Sequence, residues 1–192
     1  MTASLARITS TILAEVPGSA LRTAAAFAAP TFPGLDSVLI RPSEVDEKVE
    51  ILAAAPTKLI KIDAEGNCDR PVAVPAHLLL ALARRHRDAD QVIVTKETDG
   101  PLLSLRSFSS DTTVQVNGYE ESDCRITFPD FKPGPHEIDP LKFNPHLVKQ
   151  VLNALSDTDQ VTMQPFSMGI IVSAVAERWT CRTFIAGIAG QA

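Results

Sequence analysis

Apolar and polar positions follow two periods along this chain. Residues 37–41, 48–53, 58–63, 91–96, 102–108, 112–117, 125–128, 161–164, 169–176 and 180–185 alternate or run as β-branched stretches. Those ten stretches are predicted strands. Residues 18–29, 76–87 and 145–155 repeat their apolar positions at helical spacing and are predicted helices. Turn chemistry separates them: Pro33-Gly34, Glu65-Gly66-Asn67, Asp99-Gly100-Pro101, Asn117-Gly118 and Pro133-Gly134-Pro135. Ala6 to Leu13 fits either a first strand or a separate short helix. Short strands outnumber helices and follow them in runs, which predicts an α+β chain with antiparallel sheets.

The helix starts resemble one another. Val16-Pro17-Gly18-Ser19-Ala20-Leu21, Val74-Pro75-Ala76-His77-Leu78-Leu79 and Phe143-Asn144-Pro145-His146-Leu147-Val148 each bring an apolar strand end to a proline. Proline is tolerated at a helix start because its missing N–H has no intrahelical partner there. Several short strands follow each helix. The repeated unit is therefore a strand, a helix and about three antiparallel strands. It divides the chain into 1–70, 71–132 and 133–192, with the first two forming one domain of residues 1–132. Chance recurrence of proline is the plainer reading of the helix starts alone, but it does not explain the strand-rich tails.

Charge changes the picture through its placement. The chain has 192 residues, 18 Lys or Arg and 23 Asp or Glu, for a net charge of −5. That excludes a generally basic nucleic-acid binder but not a basic stripe on an acidic body. The three helical stretches contain no acid, and their charges are Arg22, Arg84, Arg85, Arg87 and Lys149. One reading turns these helices toward a polyanion. The other has Arg84, Arg85 and Arg87 compensating the negative end of a helix dipole. The acids gather in strands and loops instead, as in Glu44, Asp46, Glu47, Glu50 and the Glu120-Glu121-Ser122-Asp123 cluster.

Catalytic and metal chemistry find no constellation. The histidines, His77, His86, His136 and His146, form no HExxH pair, and the repeat explains why His77 and His146 follow helix-start prolines. No GxSxG elbow or phosphate-loop spacing occurs. Asp157 and Asp159 read as turn residues. Cys68, Cys124 and Cys181 are far apart and contain no CxxC, without a zinc site or disulfide framework; Cys124 and Cys181 read as core residues. No catalytic residue, metal or cofactor is expected. No apolar run reaches membrane-spanning length, and the first residues lack the pattern of a secretory signal, so the expectation is a cytoplasmic protein.

The residues resemble the bacterial sliding clamp, the β subunit of the replicative DNA polymerase. Phe143-Asn144-Pro145-His146-Leu147-Val148-Lys149-Gln150-Val151-Leu152-Asn153-Ala154-Leu155 is similar to the helix that opens the last half-domain of those clamps. Val161-Thr162-Met163, the 168–175 stretch and Thr183-Phe184-Ile185 follow in family order. Val72-Ala73-Val74-Pro75-Ala76-His77-Leu78-Leu79-Leu80-Ala81-Leu82 resembles the second helix start of the first clamp domain. Ile126-Thr127-Phe128-Pro129-Asp130-Phe131 resembles the segment that ends it, and Leu35-Asp36-Ser37-Val38-Leu39-Ile40 the strand after the first helix.

The resemblance implies a DNA-clamp fold of strand–helix–three-strand half-units, with antiparallel sheets outside and helices on one face. It also implies a non-enzymatic processivity factor that associates with double-stranded DNA through Arg22, Arg84, Arg85, Arg87 and Lys149, together with DNA polymerase or other replication proteins. The alternative is a clamp-fold interaction or scaffold module that does not encircle DNA. Family rings hold twelve half-units and this chain offers three, so a homo-oligomeric ring or crescent is expected, with four chains completing twelve. Family members end in a Met-Pro-Met-Arg-like tail beside a peptide-capturing pocket. Ala186-Gly187-Ile188-Ala189 stands here instead, which argues against client binding of the usual kind.

Overall fold

The structure, a computed structural model, describes residues 10–28, 37–55, 58–85, 91–97, 102–107, 110–117, 143–166 and 169–187. The first segment holds β1 (Ser10–Val16), α1 (Gly18–Ala28), β2 (Ser37–Pro42), β3 (Lys48–Ala55), β4 (Lys58–Glu65) and the two-residue β5 (Asn67–Cys68). The second holds β6 (Val72–Pro75), α2 (Ala76–Arg85), β7 (Val92–Glu97), β8 (Leu102–Ser107) and β9 (Ser110–Asn117). The third holds α3 (Pro145–Ala154), β10 (Gln160–Phe166), β11 (Gly169–Ala176) and β12 (Trp179–Ala186). The strand expected over 125–128 lies outside the described residues.

The open reading of the first residues resolves to a strand at Ser10–Val16, with 6–9 outside the described residues. Its pattern is hard to read because the register against β7 shifts between Ile12 and Ala14. Leu13 and Ala14 are therefore both buried, and period-two alternation is lost.

Every ladder is antiparallel, and the strands form two sheets. The five-stranded sheet runs β5-β1-β7-β8-β9, and the seven-stranded sheet β10-β11-β12-β4-β3-β2-β6. The first two segments exchange their opening strands. β1 lies beside β7 of the second segment, and β6 lies beside β2 of the first. This reciprocal exchange relates the two segments by an approximate twofold. The third segment joins through β12, which pairs with β4. The spatial order is therefore second, first, third, and α1 is flanked by both α2 and α3.

One core lies between the helices and the sheets. It gathers Val16, Leu21, Phe27, Val38, Ile40, Ile51, Ile60, Ile62, Val74, Leu79, Val94 and Leu105 with Val151, Leu155, Val172 and Ile185. Lys58 is buried beneath α1 with its ammonium 4.7 Å from the centre of the Phe27 ring. α3 starts with Asn144 accepting from the His146 N–H at 2.9 Å and has proline at its first position. Pro17 and Pro75 instead precede the first residues of their helices.

The turn between β4 and β5 depends on Gly66, whose φ is +148° and whose N–H donates to Glu47 O at 3.0 Å. A side chain there would overlap the Glu15 carbonyl oxygen. Trp179 ties the third segment to the first: it is buried, and its indole N–H donates to Ser19 Oγ at 3.0 Å. Trp179→Phe, which keeps most of the packing, should cost about 1 kcal/mol, and Trp179→Ala about 3–5 kcal/mol. Urea unfolding of both variants against the unsubstituted protein checks the order; equal stabilities would remove this contact from the fold's support.

Candidate nucleic-acid interface

The face of the helix layer turned away from the sheets is built by spacing. Arg22 and Ala26 are half-buried at i and i+4 on α1. His146, Lys149 and Asn153 are exposed at i, i+3 and i+7 on α3, and His77 and Ala81 are exposed on α2. None of the three helices contains an acid. Lys149 is therefore a solvated cation on this face.

Arg22 has a different setting. Its guanidinium is ion-paired to Asp157, in the turn that follows α3. The pair lines a shallow hollow of ≈360 Å³ between the helices, with Thr23, Ala26, Leu80, Asn153, Ala154 and Ser156. The helical position of Arg22 is readable in the sequence; its partner, 135 residues away, is not. Arg84 and Arg85 fall in the last turn of α2, but their side chains are outside the described set, as is Arg87 entirely. Of the five candidate cations, the described side chains thus comprise one exposed lysine and one arginine already facing a carboxylate.

Other charge is arranged on the sheet. Glu50 on β3 accepts from Arg41 Nε at 2.8 Å and from Lys61 Nζ at 2.6 Å, and Lys61 also lies 3.4 Å from Asp63. These groups come from three neighbouring strands on the sheet face that also carries Leu39 and Leu52. Burial alone would raise the Glu50 pKa. The hydrogen bonds and charges of Lys61 and Arg41 outweigh it and hold the carboxyl below its ordinary value. Burial likewise pulls Lys61 down, and Glu50 and Asp63 bring it above its ordinary value. The sequence marks these acids only as strand acids; their cross-strand pairing needs the register.

Reactive chemistry is muted among the described residues. Burial pushes the Cys68 thiol up to about 11 and the Cys181 thiol up to about 12, so both are protonated near neutral pH. His146 lies 3.1 Å from Gln150 Nε2 on the exposed face of α3. No group of three His, Cys, Asp or Glu among the described residues is placed to hold a metal, and no described helix is long and apolar enough to cross a membrane. Cys124, His86, His136 and residues 188–189 lie outside the described set.

Comparison with solved structures decides the fold. The DNA polymerase III β-subunit sliding clamp of Bartonella birtlesii, in a complex with griselimycin, superposes with a TM-score of 0.62 at 13% identity. That match covers 96% of this chain and 66% of the clamp. This chain has the DNA-clamp fold. The sliding clamp of Caulobacter crescentus gives a TM-score of 0.64 at 12% identity, covering 95% of this chain and 67% of that one. The proliferating cellular nuclear antigen of Entamoeba histolytica gives 0.65 at 10% identity, covering 94% of this chain and 100% of that chain. The chain thus spans about two thirds of the length of the bacterial clamps it matches. No protein-family model and no curated relative matches by sequence. The expected α+β clamp fold with antiparallel sheets is what the structure has.

Two measurements follow from the charge geometry. A double-mutant cycle of Arg22→Ala and Asp157→Ala should show a coupling of about 0.5 kcal/mol, because the pair is partly solvated. The lowered Glu50 pKa adds stability that is present above the ordinary carboxylate value of 4.5 and is lost as pH falls through the folded-state value. Glu50→Gln should therefore flatten the acid limb of a stability-versus-pH curve. An unchanged limb would place the acid sensitivity elsewhere.

Proposed function

We propose that this protein is a clamp-fold factor that associates with duplex DNA without reading its sequence and acts as a processivity element for a DNA polymerase or other replication protein. The observation carrying this reading is the acid-free helix layer on the clamp fold, with Lys149 exposed on it. Arg84, Arg85 and Arg87 are proposed to add phosphate contacts from α2, and Arg22 to contribute when Asp157 yields it. Long cationic side chains touching phosphates bind by counterion release and carry no base readout. The reading includes residues 1–132 as one clamp domain, residues 133–192 as half of another, a homo-oligomeric ring or crescent, a cytoplasmic setting and no catalysis.

The Arg22–Asp157 pair favours a second reading, in which the clamp fold serves as a scaffold for replication proteins without encircling DNA. A cation already neutralised on the inner helix weakens the case for phosphate contact.

Salt titration separates the two. Binding to a duplex of arbitrary sequence should weaken steeply with salt, and Lys149→Ala should reduce the log–log slope by about 1. Arg84→Ala/Arg85→Ala/Arg87→Ala should reduce it by about 3 at most, equally on unrelated sequences. A slope unchanged in both variants removes the helix face from DNA contact and leaves the scaffold reading.

A further inference from the structure

The third segment has a core that is open on one side. In β10, Val161 pairs with Ala174 and Met163 with Val172, so all four share one face of the sheet. Val172 and Ala174 are buried in the common core, as are Cys181 and Thr183, their partners on β12. Val161 and Met163 turn the same way but are 40% and 48% exposed. The sheet's inner face thus runs past its cover at β10.

The first segment shows what a completed unit looks like. β2 follows α1 as β10 follows α3. Its inward residues Val38 and Ile40 are 0% exposed, and its outer edge carries β6, the strand just ahead of α2. β10 pairs only with β11 among the described residues.

The helices repeat the contrast. α1 is flanked on both sides. α3 turns Ala154 and Asn153 into the hollow beside α1. At about 100° per residue, Val148 and Leu152 lie on the opposite flank, and Leu152 is 39% exposed. β10 carries no charged residue, and Pro165 near its end is its one edge-blunting residue.

We propose that a second copy of this chain covers this side, third segment against third segment, about a twofold like the one relating the first two segments. α3 would pack on α3 of the other copy as α1 packs on α2. Charge fits self-association: residues 143–187 hold Lys149, Arg178 and Arg182 against Asp157, Asp159 and Glu177. Two such segments meet without net repulsion although the whole chain is at −5. A twofold contact is self-complementary, unlike a head-to-tail one. The inference specifies the homo-oligomer within the proposed function and involves no DNA.

Light scattering coupled to gel filtration, without DNA, should give the full chain the mass of an even number of copies at micromolar concentration. Val161→Lys/Met163→Lys, which alters exposed side chains only, should halve that mass while leaving the far-UV circular dichroism spectrum unchanged. Leu152→Lys and Leu152→Glu should each dissociate alone and form a mixed dimer when combined, detected by capture through a tag on one of them. Only a contact in which α3 meets α3 gives that rescue. A single-chain mass for the unsubstituted protein, an unchanged mass for the double lysine variant, or no mixed dimer overturns the proposal. The salt slope of DNA association by the unsubstituted protein against Lys149→Ala reads the functional proposal separately.

Discussion

Strand β12 runs antiparallel to β4 from Trp179 opposite Ala64 to Ile185 opposite Lys58, and this ladder makes three repeated segments into one body. It extends a sheet already built from both earlier segments, so a single hydrogen-bonded layer reaches from β6 to β10. Side chains reinforce it at both ends. Trp179 reaches Ser19 at the start of α1, Arg178 Nε lies 3.3 Å from Glu65, and Thr183 donates to the Leu59 carbonyl at 2.8 Å. Because β4 belongs to the first segment, α3 comes to rest against α1. The helix layer and the Arg22–Asp157 pair are both consequences of that choice of edge.

The neighbouring ladders of the same sheet set the electrostatics. The seven-stranded sheet carries its charge in compensated cross-strand groups such as Arg41, Glu50, Lys61 and Asp63. The helices carry few charges, all basic. Sheet acids are thereby held by neighbouring cations, and on the helix face the described side chains offer Lys149. In the proposed reading a negative chain meets a phosphate backbone through this local patch, since field and contact are local on the scale of a Debye length. Arg22 marks the boundary of this arrangement: a carboxylate from the third segment has entered the helix layer.

The elements were legible in the sequence because their periods are clean. Helices start as expected at Gly18, Ala76 and Pro145, and β11 runs over the whole of 169–176 as expected. β1 was ambiguous because a bulge breaks its alternation. The pairing order was not legible, since periodicity shows which face of a strand is buried and nothing about which edge finds which. For the same reason Arg22 could be placed on a helix but not beside Asp157. The exposure of Val161 and Met163 also escaped: both alternate as inward residues do, and only the missing cover distinguishes them from Val38 and Ile40. The resemblance to clamps succeeded where periodicity could not, because the order of helix starts and strand tails is a property of the whole chain.

Hydrogen exchange read by mass spectrometry tests the junction most directly. If β12 and β4 form the continuous ladder described here, their amides exchange in the same slow class as those of β2 and β3 and are released together in denaturant. Fast exchange along β12, with β2 and β3 still protected, would show the third segment to be an independent unit and would contradict the account.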